Sequence, residues 1–394
     1  MKVWKSRLKA NPSMQLVRMD AEVKNQAWIK AYQFQKSNVQ SIITIPVVVH
    51  VLYNNQDQNI SDAQIFSQIA RLNADYRKKN LDTLAPSHPF AQFTADSKIE
   101  FCLASRDANG NATNGITRTS TFLTSFDDYA DVDSVKYAAL GGADNWDPTQ
   151  YLNIWVCNIR TSTVGYATFP EDLANYAAED GVVIAYNAFG SIGTAEAPLD
   201  LGRTASHEVG HWLNLNHIWG DDVCGDDLVA DTEPAESENY GCETFPFRAS
   251  NTCGSDANGE MFMNYMDYSD DACAVMFTSG QSDRMVAALN QMRPTILNSL
   301  GCTAPNGIAG ITLQNSFEIY PNPAENIVTI KSKNGSADKS SVRVYNLLGA
   351  EKLKIENVNK FPVQVNTNDL SNGIYYFKIT EAGKTITKKV LINK

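Results

Sequence analysis

The sequence predicts an α+β chain: a large body with a mixed sheet covered by helices, followed by a small all-β sandwich. Three observations predict it. Strand-like apolar runs interleave with amphipathic helical runs from residue 40 to about 300. From about Ile311 the texture changes to six or seven short alternating runs punctuated by Asn, Gly and Asp. The charge also changes sign twice. Residues 1–39 carry eight Lys/Arg against two Asp/Glu, residues 40–310 carry 13 against 35, and residues 311–394 carry 12 against 7. With 394 residues, 43% of them hydrophobic, the chain can build two to three domains with real cores. No run approaches the roughly 20 apolar residues of a membrane helix. A net charge of −11 argues against a nucleic-acid partner.

Residues 1–39 read as a helical segment. Trp4, Leu8, Met14, Leu16, Val17, Val23, Trp28, Ile29 and Tyr32 are spread among Lys, Arg and Gln, with a break at Asn11-Pro12-Ser13. Two readings stand: a helical extension packed on a neighbour, and an inhibitory propeptide whose positive charge docks on the acidic body. The segment lacks the apolar core of a signal peptide, so any export signal is expected outside this sequence. The body is placed at 40–303. It opens with a buried strand at Ile42–Val51 and a helix near Ile60–Tyr76 with Ser61-Asp62 as its cap signal. Strands are expected at Ile99–Leu103, Tyr151–Cys157, Thr163–Phe169 and Gly181–Tyr186, and a helix at about Gly202–Leu213. The linker is placed at 304–311 and the sandwich at 312–394. Its strands are expected at Phe317–Tyr320, Ile327–Ser332, Val342–Tyr345, Val363–Val365, Ile374–Thr380 and Thr385–Leu391.

The chemistry concentrates in one run. Three of the five histidines fall within eleven residues: His207, His211 and His217. On a helix, positions i and i+4 share a face, so His207 and His211 can reach one ion. Glu208, beside the first of them, can contact a water on that ion instead of the ion itself. The chain must turn after Leu213 to bring His217 back, and Asn214 sits there, a residue that tolerates the left-handed conformation. Three imidazoles leave a fourth zinc position open, as catalytic sites do. The bland alternative is a core helix whose histidines only hydrogen-bond; the third histidine at this spacing argues against it.

The run His207–His217 resembles the extended zinc motif of the metzincin peptidases, with Asn214 where the family has glycine. Phe262–Tyr268 (FMNYMDY) resembles the family's methionine-containing turn. That resemblance makes Met266 the floor of the site and Tyr268 a hydroxyl that approaches the substrate carbonyl. The segments HIWGD from His217, VADT from Val229 and FTSGQ from Phe277, followed by Arg284-Met285, are similar to the pappalysin, or cytophagalysin, branch. The similarity covers about residues 40–300. The terminal runs YPNP from Tyr320 and GIYYFKI from Gly373 resemble the C-terminal sorting domain of the type IX secretion system. That implies export, to the medium or the outer cell surface, with the secretion machinery as a partner.

Cys224, Cys242, Cys253 and Cys273 allow three pairings. The resemblance implies Cys224–Cys253 and Cys242–Cys273, bracing one wall of the cleft. Cys102 and Cys157 lie in expected strands and stand either as a third bridge or as two buried thiols, with Cys302 left over. The stretch Asp221–Glu238 is crowded with carboxylates, and the family resemblance favours calcium there, with Asp227, Thr232 and Glu236 as candidate ligands. Thr163–Pro170 is the expected edge strand along which a peptide pairs. Asp267, Asp270 and Asp271 follow the methionine turn. Asp270 and Asp271 are candidates to bind an Arg or Lys just after the scissile bond, the preference that the resemblance implies. The expected function is a secreted zinc endopeptidase with Glu208 as general base, Tyr268 assisting and no covalent intermediate. The alternative is a zinc-fold binding or adhesion protein without activity. For latency, Asp20 is the candidate zinc ligand in the N-terminal segment, since no cysteine precedes Cys102.

Overall fold

The computed structural model describes residues 13–35, 41–127, 133–254, 257–305, 317–332, 340–347, 349–381 and 384–394. They fall into two compact units, 1–305 and 306–394. Most of the expected linker at 304–311, and the expected helical positions Trp4 and Leu8, lie outside the described residues.

In the first unit, β1 (Ile43–Tyr53) is the axis of a six-stranded sheet. Its residues 45 to 52 are all buried, the near-continuous apolar run of a strand covered on both faces. β2 (Ile99–Leu103) and β3 (Ile116–Ser120) pair in turn along its one edge, both parallel to it. β4 (Leu152–Cys157) pairs along the other, followed by β6 (Val182–Ala185) and the antiparallel outer strand β5 (Gly165–Ala167). β3 is a strand without apolar alternation (ITRTS), and it was not among the expected ones. The order β2-β1-β4 places a whole strand between Cys102 and Cys157, which rules out a bridge between them. Cys102 instead pairs with Cys302, tying β2 to the end of the unit, and Cys157 is buried outside any disulfide.

An N-terminal helix, α1, spans Ser13–Gln35. Helix α2 (Asp62–Tyr76) starts where Ser61 Oγ accepts the N–H of Gln64, and it buries Ile65, Leu72 and Tyr76 against the sheet. Two buried glutamines hold it to the loop ahead of the third helix. Gln64 donates to the Tyr186 and Phe189 carbonyls, and Gln68 donates to the Gly202 carbonyl. Helix α3 (Arg203–Trp212) is buried along its whole length. From Leu213 to Thr278 regular structure is nearly absent, and the disulfides Cys224–Cys253 and Cys242–Cys273 brace the chain there. Helix α4 (Ser279–Gln291) follows, opened by a reciprocal cap between Thr278 and Gln281.

In the second unit, β10 (Glu351–Val358), β9 (Ser340–Asn346), β12 (Gly373–Glu381) and β13 (Lys384–Ile392) form one antiparallel sheet. β11 (Val363–Asn366), β8 (Ile327–Ser332) and β7 (Phe317–Tyr320) form a second. Val328, Ile330, Val342, Val344, Phe377, Ile379 and Val390 fill the core of this sandwich. Among the described residues no helix is long and apolar enough to cross a membrane.

Candidate active site

The site is built on α3, which is clamped at both ends. At its start, the Asp271 carboxylate accepts the N–H groups of Leu201 and Arg203 at 2.8 and 3.1 Å, two donors that no helical carbonyl can satisfy. Midway, the Tyr76 hydroxyl donates to the Ser206 carbonyl, and the Ser206 hydroxyl donates to Asp75. At its end, Arg293 stacks 3.9 Å over the Trp212 ring, donates to the Trp212 carbonyl, and forms a bidentate pair with Asp180. Asp180 also accepts the Trp212 indole N–H.

The helix ends in a reciprocal turn. Asn214 N–H bonds to the His211 carbonyl and Leu215 N–H to the Gly210 carbonyl, with Asn214 at φ +73°. This left-handed step sends the chain back, so that His217 faces His207 and His211. Beneath them lies Met266, fully buried. A Cβ at Gly210 would stand 2.5 Å from Met266 Sδ, so the methionine seats directly under the helix only because residue 210 is glycine.

The three imidazoles converge on one point. Their Nε2 atoms are separated by 3.1, 3.1 and 3.3 Å. Each Nδ1 faces an oxygen acceptor: His207 the Tyr265 carbonyl at 2.7 Å, His211 the Leu215 carbonyl at 2.7 Å, and His217 the Asp221 carboxylate at 2.8 Å. Those acceptors hold the proton on Nδ1, so three Nε2 lone pairs point at one another. Burial drives His207 down to about 4 and His211 well below the usual histidine range, which keeps both rings neutral. Zinc nitrogens at about 2.0–2.1 Å from a tetrahedral ion stand about 3.3 Å apart, so the donor set fits zinc. It is the single such cluster of His, Cys, Asp and Glu among the described residues.

Glu208 is buried beside this cluster, and desolvation pushes its carboxyl up to about 8. Gly165 of β5 closes over it: a Cβ there would reach within 2.8 Å of Glu208 Cγ. Tyr268 stands at the mouth, 40% exposed, its ring 4.9 Å from that of His217 and 5.6 Å from that of His207. Burial and the charge of Glu208 hold its phenol protonated well above the usual tyrosine range. The structure thus brings Glu208, Tyr268, Met266 and the three histidines into one place.

The acidic candidates separate. Asp227 is buried, accepts both from the Thr232 hydroxyl (2.9 Å to each oxygen) and from Val229 N–H, and is pushed up to about 7 by burial. Glu236 is not with them. Its carboxylate accepts the N–H and hydroxyl of Thr252, which lower its pKa, on the arm closed by Cys224–Cys253. Asp271 caps α3 and also accepts from the Arg203 guanidinium through its carbonyl, so it is not an open pocket floor. Asp267 is turned inward, accepting from Asn239 and from Tyr268 N–H. Of the pair proposed for a basic side chain, Asp270 is the one whose carboxylate is not engaged in that cap.

Helix α1 touches the residues around the turn between the histidines. Glu22 forms a bidentate pair with the buried Arg284, whose Nε donates to the carbonyl of Asn214 at 2.6 Å. Arg18 donates to Asn216, next to His217. Asp20 does not reach the histidines: its carboxylate pairs with Lys24 at the surface. Sequence reasoning passed over the supports Asp180 and Arg293, gave Asp271 a different role, and met Asp221 and Arg284 only as members of the runs HIWGD and FTSGQ with Arg284-Met285, without a supporting role.

Two family profiles match the chain: that of pregnancy-associated plasma protein-A over residues 140–290, and that of the secretion system C-terminal sorting domain over residues 318–393. An extracellular metalloprotease of Pyricularia oryzae is 31% identical over 265 residues, 64% of this chain and 77% of that protein. The extracellular metalloproteases of Colletotrichum graminicola and Sordaria macrospora are 42% and 36% identical, and the chain spans about half of their length, 45% and 49%. Among solved structures, mature mirolysin of Tannerella forsythia in complex with a cleaved peptide is 50% identical, with 67% of this chain and 99% of that chain covered and a TM-score of 0.63. A promirolysin mutant from the same organism is 47% identical, with 72% and 95% covered and the same TM-score.

Proposed function

Because the chain belongs to the peptidase family of pregnancy-associated plasma protein-A, the pappalysin branch of the metzincins, and carries a secretion sorting domain, we propose that it is a secreted zinc-dependent endopeptidase in which Glu208 is the general base. One observation carries the reading: three imidazoles turn their Nε2 atoms to a common point, each with an oxygen acceptor at Nδ1. His207, His211 and His217 would hold the ion. Zinc, when bound there, supplies the Lewis acidity that activates a water and polarises the scissile carbonyl.

The chain's own residues do the rest. Glu208 takes the proton from the attacking water at a carboxylate oxygen and passes it to the departing amine, so no proton is lost overall. Tyr268, held protonated, donates its hydroxyl hydrogen to the oxygen on which charge develops. β5 is the outer strand of its sheet, and an extended substrate pairs along it beside Glu208. Asp270 faces the basic side chain after the scissile bond, and the Asp227–Thr232 pair offers hard oxygen ligands for a calcium ion. Segment 1–39 is the latency element. The match to the promirolysin mutant covers more of this chain than the match to mature mirolysin, which supports that role. The sorting domain directs export through the secretion machinery.

The test is Glu208→Ala. It should lower peptide hydrolysis by more than about a hundredfold while zinc content stays at the unsubstituted level. Loss of zinc in that variant would mean that Glu208 is a ligand. Full activity would leave the chain's base elsewhere.

A further inference from the structure

Arg18 of α1 sits in a ready-made cation site. Its guanidinium donates to Asn216 Oδ1 at 2.9 Å, its Nε lies 3.4 Å from Glu171, and its plane stands 5.5 Å over the Phe169 ring. Phe169 packs at 5.3 Å on the ring of His211, and Asn216 precedes His217, so the site abuts two of the three histidines. The Glu171 side chain is 5% exposed, and neither of its oxygens accepts a hydrogen bond. A buried carboxylate so placed is costly unless a cation stands against it. Burial pushes its pKa up and the charge of Arg18 acts against that. Asp172 beside it is differently engaged, accepting the N–H of Phe169.

We propose that Phe169, Glu171 and Asn216 form a substrate subsite for an arginine side chain, occupied by Arg18 until α1 departs. The inference rests on the peptidase reading above and adds a substrate class to it. All three residues belong to the body and stay when the N-terminal segment is removed. A carboxylate, an aromatic face and an amide oxygen together suit the flat guanidinium better than the compact lysine ammonium. The site also lies on the path of a bound strand. Phe169 follows the outer strand β5 by two residues and packs on His211, so the subsite stands about two or three residues from the cut. It is distinct from the Asp270 position, which serves the residue just after the cut. The rival is internal: Arg284, released from Glu22, swings to Glu171 and closes the site.

Two measurements decide. The first profiles a mixed peptide library with protein freed of α1 by limited proteolysis, unsubstituted and as Glu171→Gln. Arg should be enriched about tenfold, above Lys, at one position two or three residues from the cut, falling below about twofold in Glu171→Gln. Identical profiles, or no enrichment, overturn the proposal while leaving the peptidase reading intact. The second measurement does not depend on activity. L-argininamide at about 10 mM should raise the Tm of the full chain bearing Arg18→Ala by about 2 °C or more. It should not do so for the unsubstituted chain, whose site is filled, or for the Arg18→Ala/Glu171→Gln double variant. No shift in Arg18→Ala, or an equal shift in all three, overturns the subsite.

Discussion

At position 214 the backbone must hold φ +73° between the second and third histidines. Asparagine does this at little cost, and glycine would do it at less. Asn214→Gly should therefore leave zinc content and hydrolysis unchanged, whereas Asn214→Val should cost about 1–2 kcal/mol of stability, measured by urea unfolding, and weaken zinc retention. Asp271 gives the second test at this scale. Removing its carboxylate strands the Leu201 and Arg203 N–H groups, so Asp271→Ala should cost about 1–3 kcal/mol in the same assay. It should leave the preference proposed for Arg or Lys after the cut unchanged, and Asp270→Ala should reduce it. The histidines, Glu208 and Met266 were legible because their spacing along the chain encodes their meeting. Asp271 and Glu236 were not. An aspartate's sequence neighbours do not reveal which distant N–H it will accept, and both carboxylates are claimed by groups far along the chain.

Among the elements, α3 depends on supports that its own sequence does not supply. Arg293 and Asp180 form a buried pair that also holds the Trp212 carbonyl and indole. Asp180→Ala would leave a buried guanidinium without its anion, and should cost about 3–5 kcal/mol. The loop carrying Asp227 makes a pH-dependent prediction. Burial raises this acid to about 7, so below that pH a proton would compete with the calcium ion proposed there, and above it the carboxylate is open to a cation. The rise in Tm on adding calcium should be larger at pH 8 than at pH 6, and absent in Asp227→Asn. An equal rise at both pH values would place calcium elsewhere. Most strands and the zinc helix could be read from apolar periodicity. β3 and β10 could not: one is a polar strand paired along the upper half of β1, the other carries Glu and Lys on an exposed sheet edge. The Cys102–Cys302 bridge closes residues 200 apart, a distance over which no local pattern reports.

Across the first unit, α1 is tied to the turn between the histidines through Glu22, Arg284 and the Asn214 carbonyl. The positive segment is therefore anchored by an acidic residue as well as by Arg18, a detail that net charge alone conceals. Protein freed of residues 1–39 should cleave peptides at least about tenfold faster than the full chain, and equal rates would remove the latency role from this segment. The most direct test of the account is casein cleavage by that freed protein, before and after zinc is stripped by 1,10-phenanthroline and then restored. The account predicts cleavage that disappears with the metal and returns when one equivalent of zinc is added. Cleavage that persists in fully stripped protein, or fails to appear in protein holding one zinc per chain, would contradict it.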